Sequence, residues 1–168
     1  SHIALQRING SDPQEYFQVM GNTRISQDER GCLVIEADYL DKSVITNDLV
    51  EIIDKTYFRW LGRADNVINS GGIKISPESI EKIVESVFAE ENYTNRFFIG
   101  GVTDEKLGQR LVLFVEGTAF AMETQNEILS KLATRVSRFE LPKEMKFVPV
   151  FKETKSGKVD RNVSMDSF

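Results

Sequence analysis

The spacing of apolar residues changes once along this chain, and that change limits what it can fold into. Up to Leu61, short apolar runs such as Leu33 to Ala37 and Leu49 to Ile53 are broken by Gly21-Asn22, Asp28-Glu29-Arg30-Gly31 and Asn47-Asp48. That is the pattern of strands joined by tight turns. From Ile73 the period becomes helical. Ser76 stands where an N-cap belongs, Pro77 suits the first helical position, and Ile80, Ile83, Val84, Val87 and Phe88 recur on one face, predicting a helix over 77–90. Arg96 to Val102 and Gln109 to Val115 read as strands. Thr124 and Glu127 form a capping-box pair ahead of Ile128, Leu129, Leu132, Ala133 and Val136, predicting a second helix over 124–138. Leu141-Pro142 stops it, and Met145 to Phe151 reads as a further strand. The expected fold is α+β: a β-rich segment 1–61, a joint at 62–65, and a domain 66–168 of helices packed on a short sheet.

A chain of 168 residues holds one ordinary domain, or a small domain and a piece of another. The net charge of −5, with no basic stretch, argues against a nucleic-acid partner. No apolar run approaches the roughly 18–20 residues that cross a bilayer, and no signal-peptide core is present, so no membrane partner is expected. Cys32 lies in an apolar run and has no second cysteine to pair with, which reads as a buried structural thiol in a reducing, cytoplasmic compartment. His2 is the one histidine, so histidine catalysis and His-rich metal sites lose support and no metal site is expected. The opening Ile3-Ala4-Leu5-Gln6-Arg7-Ile8, without an initiator methionine, reads as a start partway through a larger protein.

Few residues bear chemistry. Lys158 follows Ser156-Gly157, a small-residue turn from which a compact positive charge projects toward an anionic oxygen. A solvated hairpin lysine is the plainer reading, and Lys155 is its competitor. Asp48 offers two acceptor oxygens that suit a ribose diol, or serves as a turn-forming Asx residue. Arg63 and Asp65 fit a nucleotide contact and a hinge, or a surface ion pair of little worth. Ser70-Gly71-Gly72 permits close backbone approach to a ligand, though two glycines also simply make a turn. It lacks the spacing of a phosphate-cradling loop. Phe58 and Trp60 alternate as core-packing residues on a strand.

Taken in order, Thr46-Asn47-Asp48, Gly62-Arg63-x-Asp65-x-x-Ile68, Gly71-Gly72, Pro77-x-x-Ile80-Glu81, Leu141-Pro142 and Ser156-Gly157-Lys158-Val159-Asp160-Arg161 resemble the C-terminal part of the adenylate-forming superfamily. That superfamily includes acyl- and aryl-CoA synthetases, peptide-synthetase adenylation domains and luciferases. The run from Trp60 to Gly72 is most similar to the o-succinylbenzoate–CoA ligase family of menaquinone biosynthesis, and Asn69-Ser70-Gly71-Gly72 points to that branch.

The resemblance implies a reaction in two halves. ATP and a carboxylic acid give an acyl-adenylate and pyrophosphate, then a small C-terminal domain swings so that the thiol of CoA attacks. It implies Lys158 as the adenylation lysine, Asp48 on the ribose hydroxyls, Arg63 at the nucleotide, Asp65 as the hinge, and Ser70, Gly71 and Gly72 in the loop of the CoA tunnel. ATP, CoA and Mg2+ would serve the full-length enzyme, with none held tightly by this chain. The family's phosphate loop and its aromatic-Gly-x-Thr-Glu motif are absent from these residues. Residues 1–61 therefore resemble the end of the large N-terminal domain, which is the implied partner alongside a small carboxylic acid and CoA. The chain alone is expected to lack ligase activity. A ligase for another acyl or aryl acid, and a non-enzymatic α+β binding module, are the alternatives.

Overall fold

The structure is a computed structural model that describes residues 2–166. The chain divides into two compact units, Ser1–Asn66 and Val67–Phe168.

In the first unit six strands form one antiparallel sheet: β1 (Ala4–Leu5), β2 (Phe17–Val19), β3 (Arg24–Gln27), β4 (Cys32–Glu36), β5 (Val44–Ile52) and β6 (Tyr57–Arg63), in the order β1-β2-β6-β5-β4-β3. Side chains of a strand alternate between faces, so Leu33 and Ile35 of β4 reach the same core as Val19, Val50 and Phe58. Phe17 stacks on Phe58 with centroids 5.3 Å apart, and Trp60 packs against the cluster as its alternation suggests. Cys32 is fully buried and forms no disulfide. A 3-10 turn, Ala64–Asn66, ends the unit.

The second unit is built on a sheet of five strands: β7 (Ile68–Ser70), β8 (Ile73–Ile75), β9 (Phe97–Asp104), β10 (Gly108–Glu116) and β11 (Glu144–Val148). β9 pairs with β10 along its whole length, while β11 runs parallel to β10 from Val112 to Glu116 and β7 bridges it at Gly108. Helix α1 (Pro77–Glu90) occupies the span its spacing predicts, with Pro77 at the first turn. Ser76 holds the N-cap position, but its hydroxyl goes to Glu78 Oε2 at 2.9 Å rather than to a backbone amide.

Helix α2 (Met122–Ala133) starts ahead of the expected capping box, with Ala121 at the N-cap and no side-chain cap. Gln125 instead binds back to the Phe120 carbonyl at 2.8 Å, so Thr124 and Glu127 lie inside the helix and the predicted last turn is absent. A short helix α3 (Arg161–Met165) closes the described chain.

The sheet buries both faces. Leu111, Leu113 and Val115 of β10 point to Ile80, Val84, Val87, Ile128 and Leu132 of α1 and α2. Val112 and Phe114 point the other way, to Phe98, Val148 and Phe151, with Val159 and Met165 laid over them. Near-continuous apolar strands are what a sheet covered on both sides requires.

Candidate functional site

Asp48, Arg63 and Asp65 come together in the first unit. The pairing of β4 with β5 slips between Cys32 and Val34, and that of β5 with β6 slips between Leu49 and Val50. Irregularities of this kind bend a strand and re-aim its side chains. Thr46, Asn47 and Asp48 occupy the distorted stretch. Thr46 Oγ1 donates to the Leu33 carbonyl at 2.8 Å and accepts the Asp48 amide at 3.1 Å. Arg30, clamped on Asp28, reaches the Thr46 carbonyl and Asn47 Oδ1, both at 3.1 Å.

Asp48 Oδ1 accepts the Trp60 indole N–H at 3.3 Å and lies 3.6 Å from Arg63 Nη1. Both partners fall on Oδ1. Among the described residues, Oδ2 is the oxygen left to accept from a diol. Asp48, Thr46 and Trp60 border a cavity of about 340 Å³ whose remaining lining is apolar, Phe17, Leu33 and Phe58 among it.

Arg63 also makes a two-point fork to Asp65, Nε to Oδ1 and Nη2 to Oδ2, each 2.9 Å. The fork holds the Asp65 carboxyl below its ordinary range. Asp65 is exposed, within the short 3-10 turn. Trp60 is the participant that sequence reasoning missed. Its alternation announced a core residue, and nothing in the sequence announced that a strand slip would bring Asp48 to its indole nitrogen.

The other candidates lie in the second unit. Gly71 and Gly72 form the two-residue turn between β7 and β8, with Ser70 paired to Ile73. Both glycines have positive φ, 60° and 84°, as such hairpin turns demand. Gly71 donates its amide to the Leu107 carbonyl at 2.8 Å, which lays the turn beside the β9–β10 turn. Ser70 is not a loop residue: it ends β7 and is buried.

Lys158 stands on a hairpin that closes through a bridge between Glu153 and Val159. The Thr154 amide donates to the Lys158 carbonyl at 2.7 Å and the Gly157 amide to Thr154 at 3.0 Å, with Gly157 at φ +77°. Lys155 and Lys158 are both exposed, and among the described residues neither forms an ion pair. The geometry leaves the choice between them open. The hairpin base is fixed to the end of β10: Arg96 bonds Glu116 at 2.7 and 2.8 Å and Glu153 at 2.6 Å, and Glu116 accepts the Phe151 amide at 2.7 Å. Arg96 depresses the Glu116 carboxyl.

The glycine turn meets β10 at Gly108 and the lysine hairpin meets it at Glu116. Eight residue steps of strand put these junctions about 26 Å apart. Among the described residues, no three acidic, His or Cys side chains converge as metal ligands, and no helix is long and apolar enough to cross a membrane.

Residues 83–158 match the family model of the AMP-binding enzyme C-terminal domain. The chain is 33% identical over 104 residues to the medium-chain acyl-CoA ligase Mig of Mycobacterium avium, an alignment covering 62% of this chain and 18% of that ligase. It is similar to the solved acyl-CoA synthetase (AMP-forming)/AMP-acid ligase II-like protein of Dyadobacter fermentans, at 39% identity and TM-score 0.60. That match covers 99% of this chain and 47% of the other.

The o-succinylbenzoate CoA synthetase of Bacillus subtilis, solved with its acyl-adenylate intermediate, shares the fold at 16% identity and TM-score 0.69, over 86% of this chain and 34% of its own. The chain thus spans about a fifth of the Mycobacterium avium ligase and under half of the Dyadobacter protein. Residues 83–158 are accordingly similar to the C-terminal domain of AMP-binding enzymes, and the relatives that the chain resembles are acyl-CoA ligases and synthetases.

Proposed function

We propose that this chain is the C-terminal part of an ATP-dependent acid–CoA ligase that first adenylates a carboxylic acid and then forms its thioester. One observation carries the reading: a free-standing cation and a paired-glycine turn sit at opposite ends of one strand. A domain of this kind can present either end to a reaction centre by turning, and gating of that sort separates successive steps.

In the first step Lys158 places its ammonium on the oxygens of the phosphoryl group under attack, where preorganised positive charge offsets the charge that develops. Asp48 Oδ2 accepts from the ribose hydroxyls while Trp60 and Arg63 hold Oδ1. Arg63 assists at the nucleotide. Asp65 is the pivot: joints are held by polar contacts rather than core packing, as the Arg63 fork holds this one. In the second step the turn at Gly71 and Gly72, lacking side chains, lets the pantetheine arm of CoA pass along the backbone. Mg2+ would serve the complete ligase rather than be held tightly by this chain.

The test is a Lys158→Ala substitution in the complete ligase that carries this chain. We expect adenylation to fall by about 10²–10³-fold, with thioester formation from pre-made adenylate unchanged. Equal loss in both half-reactions would overturn the assignment. Lys155→Ala, assayed beside it, is expected to leave adenylation within a few fold.

For the acid we assign o-succinylbenzoate, and hence a place in menaquinone biosynthesis. The support is the likeness of Asn69-Ser70-Gly71-Gly72 to that branch. The identity to a medium-chain acyl-CoA ligase favours a second reading, an aliphatic acid. Turnover across a panel of aryl and aliphatic acids decides between them.

A further inference from the structure

The turn that carries Lys158 projects from a base whose first strand Arg96 ties to β10 through Glu153 and Glu116. Lys155, Ser156, Gly157 and Lys158 are all exposed, and an isolated hairpin is marginal in water. The chain just beyond it is anchored firmly. Arg161 lies three residues past Lys158 and sends Nη1 and Nη2 to the two carboxylate oxygens of Glu81, at 2.8 and 3.0 Å. Its guanidinium also lies 5.7 Å from the Phe98 ring centroid.

Glu81 is itself fixed on α1, because its Oε1 accepts the Ile99 amide of β9 at 2.8 Å. Burial raises the Glu81 carboxyl above its ordinary range in spite of Arg161, so neither partner can leave without stranding the other. Two further ties share the load. Asp160 caps α3 by accepting the Val163 amide at 3.2 Å, and the fully buried Ser164 hydroxyl accepts the Lys152 amide at 3.0 Å, joining the helix to the first strand of the hairpin.

We propose that Glu81 is the positioning residue of Lys158: through Arg161 it sets where the hairpin leaves the sheet, and so where the ammonium stands. The pair spans eighty residues of sequence and joins α1, β9 and α3 at one point. Three residues of chain reach at most about 10 Å, so a released Arg161 frees the ammonium over several ångströms, and errors of about 1 Å already cost rate in positioned chemistry. The proposal rests on the role given to Lys158 above, and its test separates the two.

The first measurement is amide hydrogen exchange on the 168-residue chain with Glu81→Gln and, separately, Arg161→Lys. At Thr154, Gly157 and Asp160 we expect exchange at least tenfold faster in Glu81→Gln and an intermediate effect in Arg161→Lys, with the Leu113 amide of β10 unchanged. Unchanged exchange at the three hairpin amides overturns the proposal. Equal acceleration at Leu113 also overturns it, since Glu81 would then support the whole sheet.

The second measurement uses the complete ligase. Glu81→Gln is expected to slow adenylation by about tenfold while sparing thioester formation, and to add nothing in a Lys158→Ala background. A loosened hairpin with undiminished adenylation sinks the positioning role and leaves the ligase reading intact. An active Lys158→Ala enzyme sinks the role of Lys158 and leaves the exchange result standing.

Discussion

Arg63 stands between two carboxylates, 3.6 Å from Asp48 Oδ1 and forked onto Asp65 at 2.9 Å. The fork is half exposed, so it contributes little to stability in water. Its consequence is titration. Hydrogen bonds from Arg63 depress the folded-state value of Asp65, so the associated stabilisation is present above the unfolded value of about 3.9 and is lost as pH falls through the depressed folded value. Arg63→Ala is expected to return the Asp65 carboxyl toward the ordinary range, as read by carbon-detected NMR. An unmoved titration would mean the fork is not formed in solution. Trp60 teaches a second lesson at this scale: one side chain packs a core with its ring and orients a carboxylate with its nitrogen.

Among the elements, α3 shows how a five-residue helix can matter. It sits on β9 where Gly100 leaves no side chain: a Cβ there would lie 2.5 Å from Met165 Sδ and 2.8 Å from the Phe114 ring. Gly100→Ala should therefore cost about 1–3 kcal/mol in urea denaturation, and adding Met165→Ala should recover part of it. No loss in the single variant would show that α3 yields freely.

Elements also divide what could be read in advance from what could not. Helix α1 was legible because Pro77 and the recurrence of Ile80, Val84, Val87 and Phe88 agree on one helix. The start of α2 was not, because the capping box at Thr124 is a strong local signal that lost to the Gln125 bond and to burial of Ile128 and Leu132. The strands of β9 and β10 were legible as apolar runs, but not that both faces are covered. The loop-borne candidates Lys158 and Gly71-Gly72 could be picked out by residue type. The Glu81–Arg161 pair could not, since periodicity carries no information across eighty residues.

At the scale of the molecule, each unit has its own core. The cluster around Phe58 lies wholly within residues 1–66, and the clusters around Leu113 and Phe114 lie wholly within 67–168. Residues 67–168 expressed alone are expected to unfold in a single cooperative transition, with protected amides in β10. A broad, uncooperative melt would show that their core is incomplete.

β10 also gives the second unit a mechanical property. Paired with β9 along one edge and with β7 and β11 along the other, it cannot easily flex. It behaves as a rigid lever arm about 26 Å long, so tilting it by about 10° at the glycine end would sweep the far tip through about 4–5 Å. On the role proposed for Lys158, a modest swivel would then be enough to seat its charge or withdraw it.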